Sequence, residues 1–204
     1  AIGAKIDDYL IKPVNPNQIL LTLKKHIETK KIVSEKTVSS YQSHFQEITQ
    51  LINQANSYTD WMQIYDKIVY WELELEGQFE SGMNEILKMQ KEEANKEFSK
   101  YIEKNYAKWF YEDTPKPPLS PNILKNKVFP LIEQGEKVCL ILIDNLRFDH
   151  WKKLSPLLRD YYSIENEEMY YSILPTATQY SRNAIFAGLM PREISQIYPD
   201  LWVN

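Results

Sequence analysis

Proline is absent from residues 30–112, a stretch long enough for several helices. Proline kinks or ends helices, so its absence leaves long helices possible. Apolar residues in this stretch recur three and four positions apart, the spacing of one helix face. They form three series: Val38, Tyr41, Phe45, Ile48, Ile52, Ala55; Trp61, Ile64, Tyr65, Ile68, Trp71, Leu75; and Met83, Leu87, Ala94, Phe98, Tyr101, Ile102. We therefore expect three amphipathic helices packed as a bundle, with breaks at 56–57 and 77–82.

The aromatic residues of these helices could instead form a surface on which nucleic-acid bases stack. Aromatic side chains at helical spacing are mostly core residues, and residues 30–112 contain no arginine that could contact phosphates. The alternating Glu72, Glu74 and Glu76 could likewise bind a metal ion, but a solvated helix face explains them better. We assign no chemistry to the bundle.

A proline-rich stretch over residues 113–121 excludes regular structure there and predicts a boundary between two domains. Residues 138–143 form a continuous apolar run, which is typical of a central strand covered on both faces. A helix over about 149–161, a strand over about 168–174 and a helix over about 179–188 are expected to follow. This alternation predicts an α/β domain with a parallel sheet.

Composition and charge argue against a disulfide-rich protein, a membrane-spanning protein and a protein that binds duplex DNA. Cys139 is the single cysteine, so a disulfide framework is excluded and a reducing compartment fits; we expect Cys139 to be buried in the predicted strand. The chain starts without the charge and apolar pattern of a signal peptide, and no apolar run approaches the roughly 18 residues of a membrane span. The net charge of −4 argues against binding to duplex DNA. We predict a cytoplasmic protein that does not insert into membranes.

Ligands of parallel sheets bind beyond the carboxyl ends of the strands, where Asp144 and the segment Thr176-Ala177-Thr178 fall. Thr178 would also begin a helix, whose free N–H groups favour an anion such as phosphate. A threonine hydroxyl attacks phosphorus only when a base or metal ion assists it, and a nearby carboxylate can hold that metal. Both residues could instead have local roles, Asp144 as an N-cap or turn former and Thr178 as an N-cap.

The first residues read as a strand, a turn and an amphipathic helix. A short apolar run ends at Lys12-Pro13, Asn15 can cap a helix that starts at Pro16, and Ile19, Leu20 and Leu23 share one face. We expect the bundle of residues 30–112 to pack beside this helix. The run GAKIDDYLIKP followed by Asn15-Pro16 resembles the last strand and helix of CheY-like receiver domains. This resemblance implies that Lys12 pairs with a phosphorylated aspartate, that the peptide before Pro13 is cis, and that Tyr9 is a rotameric switch. The phospho-acceptor aspartate and the magnesium ligands would lie outside this chain.

A second resemblance covers IDNLRFD (143–149), LPTATQYSR (174–182) and AGLMP (187–191). These motifs are similar to the opening of a PglZ domain of the alkaline phosphatase superfamily. The resemblance implies two zinc ions, with Asp144 as a metal ligand and Thr178 as both metal ligand and nucleophile; Thr176 is the alternative nucleophile. Arg147, Asp149 and Arg182 belong to the motifs without an assigned role, and His150 is expected to be an ordinary helix residue.

The predicted fold is therefore mixed: the C-terminal strand and helix of an α/β receiver (1–29), an all-α helical bundle connector (30–112), a proline-rich linker (113–121), and the start of an α/β parallel-sheet alkaline-phosphatase-like domain (122–204). This order resembles that of PorX-type response regulators, which in Bacteroidetes govern type IX secretion. The resemblance implies a sensor histidine kinase, a phosphorylation-dependent homodimer and a sigma factor or secretion-system partner.

The resemblance further implies a zinc-dependent phosphodiesterase that acts on cyclic or linear oligonucleotides. Because Asp144 and Thr178 cannot alone satisfy two zinc ions, residues 1–204 by themselves are expected to be inactive, and the remaining ligands are expected beyond Asn204. A binding module is the alternative: the PglZ fold would then be a scaffold, and phosphorylation would control the capture of a transcription or secretion partner.

Overall fold

A computed structural model describes residues 16–76, 82–113 and 115–201 of the chain. Tyr9, Lys12 and Pro13, the predicted signalling residues, lie outside this described part. The described chain divides into two compact units, one built from residues 16–55 and 64–97 and the other from 56–63 and 98–201.

The first helix, α1, is continuous from Pro16 to Gln54 and is 39 residues long. It begins at Pro16 as predicted, because proline fits the first position of a helix. No glycine or proline follows Pro16 within α1. The predicted boundary between a receiver end (1–29) and a separate bundle (30–112) therefore falls inside one helix.

Two further helices complete a bundle in the first unit. Helix α2 spans Tyr58–Glu74 and helix α3 spans Met83–Asn105, so the predicted number and order of helices are confirmed. The buried apolar residues described in this unit are Tyr41, Ile48, Ile52, Ile64, Ile68, Val69, Trp71, Leu75, Leu87 and Ala94, and all but Val69 belong to the three predicted series. The aromatic stripe is therefore mostly core and not a base-stacking surface.

A buried polar network aligns α1 with α3. Gln90 of α3 is only 1% exposed. Its amide nitrogen donates to the carbonyl oxygen of Phe45 at 2.9 Å and to the hydroxyl of Thr49 at 3.0 Å, while its amide oxygen accepts from Tyr41 at 3.1 Å. Burial raises the pKa of Tyr41 to about 12, which keeps its hydroxyl a donor at neutral pH. A buried amide that lacked some of its hydrogen bonds would lower the stability of the fold. The network therefore specifies how α1 and α3 pair.

The bundle was also expected to pack beside the helix of Ile19–Leu23, and this expectation is wrong. Those residues lie on the first turns of α1 itself, and Leu20 is 64% exposed. Because α1 is continuous, Ile19 is separated from the buried Tyr41 by about 33 Å of helix axis. The predicted acidic face is solvated as expected, with Glu74 exposed and Glu72 paired with Lys91.

The second unit opens with the start of α2. The Ser57 hydroxyl accepts from the Asp60 amide at 3.2 Å, and the Asp60 carboxylate accepts from the Ser57 amide at 2.9 Å. This reciprocal pair is a capping box. A further backbone hydrogen bond, from Asn56, is the main reason that the pKa of Asp60 is lowered. The predicted helix start at Ser57-Tyr58-Thr59 is thereby confirmed.

Short helices dominate the rest of the second unit. After α4 (Lys108–Tyr111), a 3₁₀ turn (Ser120–Asn122) and a π-helical segment (Leu124–Val128) lead into α5 (Phe129–Glu133), α6 (Phe148–Leu158), α7 (Thr178–Ala187) and α8 (Pro191–Ile197). Helices α6 and α7 confirm the predicted helices near 149–161 and 179–188. Helix α7 ends at Gly188 with φ 64°, a left-handed residue that suits glycine.

The core of the second unit joins segments from before and after the proline-rich stretch. Its buried centre consists of Trp109, Leu119, Ile173 and Ala184. Pro117 and Ser120 are also buried, so residues 115–121 are irregular yet packed. Tyr171 forms a single parallel bridge with Leu119 and packs its ring against Trp109 at 5.5 Å.

Over the described residues the chain forms no β-strand, so the strands predicted at 138–143 and 168–174 are not seen. A strand exists only through hydrogen bonds to a neighbour, and residues 138–143 have none in the described part of the chain. This apolar run is exposed, with Ile141 at 76%, and Cys139 is exposed rather than buried. Among the helices that are described, none is both long and apolar enough to span a membrane.

Candidate active site

Asp144 lies in a tight turn immediately after the apolar run. The next residue, Asn145, has φ 58°, a left-handed conformation that asparagine tolerates better than most residues. Helix α6 begins only at Phe148, and its N-cap is Arg147. Asp144 is therefore not a helix cap, and of its two possible local roles only that of a turn former matches the structure.

The first turn of α6 holds a second carboxylate, which is already paired. Both oxygens of Asp149 accept from the guanidinium of Arg147, one of them at 2.9 Å. The Arg147 hydrogen bonds hold the pKa of Asp149 well below its ordinary value. Asp149 is thus a poorer candidate for a metal ligand than Asp144. His150 is exposed, in agreement with its predicted role as an ordinary helix residue.

The Thr176-Ala177-Thr178 segment leads directly into α7. Thr178 is the first residue of α7, and the N-cap is Ala177, which has no side chain to cap the helix. The predicted alternative, Thr178 as an N-cap, therefore does not match the structure. The hydroxyl of Ser181 donates to the carbonyl oxygens of Thr176 and Ala177, at 3.2 and 3.3 Å, and fixes the turn. The amides of Tyr180 and Ser181 donate to the carbonyl oxygen of Ala177, which leaves the amides of Thr178 and Gln179 available to an anion.

An ion pair joins the two candidate segments. The Nη1 atom of Arg182 lies 3.7 Å from Oδ2 of Asp144, and both side chains are about half exposed. Arg182 follows Thr178 by four residues, one turn of α7 or about 6 Å of helix axis. The Asp144 turn therefore lies beside the first turns of the helix that begins at Thr178, although the two segments are distant in sequence. Their catalytic and metal-binding roles stay predictions.

A zinc ion in a catalytic site takes three protein ligands or more. A carboxylate such as Asp144 suits zinc, and its single contact with Arg182 at 3.7 Å is looser than the pairing of Asp149 with Arg147. Within the described residues, however, no group of three or more histidine, cysteine, aspartate or glutamate side chains could hold a metal ion. Asp144 thus fits as one ligand, and the described chain does not supply a complete set.

The loop before Thr178 is held by residues that the sequence did not single out. The amide of Leu174 donates to the hydroxyl of Tyr106 at 2.8 Å, and the amide of Ile173 donates to the hydroxyl of Ser120 at 3.2 Å. The hydroxyl of Tyr171 donates to the carbonyl oxygen of Tyr58 at 2.9 Å. Burial raises the pKa of Tyr171 well above its ordinary value, so this donor persists at any physiological pH. No local pattern marks these residues, because their partners are distant in sequence.

Comparison with known proteins gives two family matches. Residues 31–110 match the family described as the PorX response regulator linker domain. Residues 123–204 match the family described as the BREX system PglZ alkaline phosphatase-like domain. No curated protein gives a match to the chain. The linker match followed by the PglZ match is consistent with a PorX-type response regulator.

Proposed function

We propose that the intact protein is a response regulator whose output is zinc-dependent hydrolysis of phosphodiesters in cyclic or linear oligonucleotides. The family matches support a response regulator with a phosphatase-like output domain. The ion pair between Asp144 and Arg182 carries the proposal for the site, since it brings a carboxylate beside the helix that starts at Thr178. Cleavage of a phosphodiester requires a ligand for the metal, a hydroxyl nucleophile and groups that bind the phosphate, such as a helix N-terminus.

In this proposal Thr178 attacks phosphorus through its hydroxyl oxygen. A P–O bond to Thr178 forms as the P–O bond to the leaving alcohol breaks, and the hydroxyl proton leaves with that alcohol. Water then attacks the phosphorus, which releases the phosphate monoester and returns a proton to Thr178. The amides of the first turn of α7 bind the phosphate oxygens. Asp144 holds the metal, with Arg182 orienting its carboxylate. Bound zinc would supply the lowered pKa that the threonine hydroxyl needs near neutral pH.

The proposed signalling function rests on the first residues of the chain. A sensor histidine kinase would phosphorylate the receiver in the presence of magnesium, and Lys12 would pair with the phosphoaspartate while Tyr9 and Pro13 respond. Phosphorylation would favour a homodimer. The continuous helix α1 supports this proposal, because it runs from Pro16 into the linker bundle without a break. Regulation of type IX secretion, through a sigma factor or secretion-system component, is the proposed role in the cell.

We expect Asp144→Ala to reduce the zinc content of the intact protein. Removing one ligand from a site of about four should lower the bound metal from about two equivalents toward about one. Turnover of a chromogenic phosphodiester should fall in parallel. Elemental analysis of the purified protein measures the first effect, and initial rates measure the second.

Asp160→Ala is the matched control, because Asp160 is an exposed aspartate in the turn after α6. The control should keep the zinc content and turnover of the unmodified protein. Equal zinc content in Asp144→Ala and Asp160→Ala would contradict the assignment of Asp144 as a ligand. Equal turnover as well would show that hydrolysis does not need Asp144.

A further inference from the structure

We propose that Tyr106 is a positioning residue: its hydroxyl fixes the loop that places Thr178 for attack. The inference deepens the proposed function and rests on it for the catalytic role of Thr178. The contact that carries it is the hydrogen bond from the Leu174 amide to the Tyr106 hydroxyl at 2.8 Å. Leu174 begins the loop and lies four residues before Thr178.

Tyr106 is itself held in a defined place. It follows the last residue of α3, and its amide donates to the carbonyl oxygen of Ile102 at 2.8 Å, which adds one more helical hydrogen bond. Its ring makes edge contacts with Trp109 at 5.8 Å and with Phe110 at 5.2 Å. Because Trp109 is part of the buried core, the ring has little freedom, and the hydroxyl has a fixed position.

The loop is anchored on both sides, and Tyr106 provides the anchor at its start. Upstream, Tyr171 and Ile173 are held by Tyr58 and Ser120. Downstream, Ser181 binds the carbonyl oxygens of Thr176 and Ala177. The Leu174 side chain is about half exposed and adds little packing, so its amide hydrogen bond is the main restraint at the start of the loop.

Tyr106 lies within the linker match, whereas the loop lies within the PglZ match. The end of the linker domain therefore contributes directly to the scaffold of the candidate active site. A displacement at the end of α3 would move the Tyr106 hydroxyl and, with it, the Leu174 amide. The linker is inferred to set the position of the catalytic loop and not only the distance between two domains.

The test replaces Tyr106 by phenylalanine in the zinc-loaded intact protein, which keeps the ring and removes the hydroxyl. We expect kcat for bis-p-nitrophenyl phosphate to fall about tenfold, because a less firmly held loop places Thr178 less accurately for attack, while KM stays within about twofold. Amide exchange should become faster in peptides that contain Leu174, with no change in the melting temperature. Tyr111→Phe is the matched control, because Tyr111 is 88% exposed on the neighbouring helix α4.

The outcomes separate this inference from the proposed function. Unchanged exchange at Leu174 in Tyr106→Phe would overturn the inference, whatever the activity. A lower melting temperature with faster exchange throughout the second unit would also overturn it, because Tyr106 would then stabilise the core in general. Absence of turnover in the unmodified protein, together with faster exchange confined to the loop, would contradict the proposed function but support the anchor.

Discussion

Thr178→Ala should abolish phosphodiester hydrolysis by the intact protein, lowering kcat by at least about 1,000-fold, as removal of a nucleophile does. Thr178 begins α7, where the helix amides face an incoming phosphate, and alanine at this position leaves the helix without a nucleophilic oxygen. The fold should stay intact, because Ala177 and not Thr178 is the N-cap and the Ser181 hydroxyl still fixes the turn. Initial rates and far-ultraviolet circular dichroism measure the two effects.

Thr176→Ala is the control for this prediction, because Thr176 lies two residues earlier in the same loop. Its carbonyl oxygen accepts from Ser181, and alanine keeps that carbonyl. Much of the rate should remain. An active Thr178→Ala with an inactive Thr176→Ala would make Thr176 the nucleophile. Two active variants would exclude both threonines as the nucleophile.

Trp109→Ala should lower the free energy of unfolding of the second unit by about 3–5 kcal/mol, the usual cost of truncating a buried aromatic residue. Trp109 is 3% exposed and lies in the core cluster with Leu119, Ile173 and Ala184. Its ring contacts Tyr106 and Tyr171, two of the residues that hold the loop before Thr178. Turnover should therefore fall together with stability. Urea denaturation followed by tryptophan fluorescence measures the loss.

Tyr111→Ala provides the comparison, since Tyr111 belongs to the same short helix and is 88% exposed. Substitution of an exposed residue should change the free energy of unfolding by no more than about 0.5 kcal/mol. A Trp109→Ala variant as stable as Tyr111→Ala would show that the aromatic core does not hold this unit together.

The helices were predictable because their signals are local. Apolar spacing marked α2 and α3, and Ser57-Tyr58-Thr59 marked the start of α2. The continuity of α1 was also present in the sequence, which has neither glycine nor proline between Pro16 and Gln54. The predicted break near residue 30 came from the expected end of a receiver domain and not from any helix-breaking residue.

The strands were not predictable in the same way. An apolar run such as 138–143 indicates burial, but a strand also needs partners that lie elsewhere in the chain. In the structure these residues are exposed and unpaired with any neighbouring strand of the described chain, and the one bridge joins Leu119 to Tyr171. Pairing is a long-range property, so local sequence could not supply it.

The candidate site likewise has residues that local sequence identifies and contacts that it does not. Asp144 and Thr178 could be named from short motifs, because each follows an apolar segment in a recognisable pattern. The pair between Asp144 and Arg182 and the bond between Leu174 and Tyr106 depend on tertiary proximity, the latter across 68 residues of sequence. A tyrosine after a helix has many possible roles, and only its partner in the folded chain identifies this one.

The most direct test of the account is the zinc dependence of turnover in the intact protein. Hydrolysis of bis-p-nitrophenyl phosphate is measured before treatment with a chelator, after it, and after zinc is added back. We expect the chelator to remove the activity and zinc to restore it, because the threonine hydroxyl requires a metal ion to attack near neutral pH. Turnover that the chelator leaves unchanged, or no turnover in any of the three states, would contradict the proposal of a zinc-dependent phosphodiesterase.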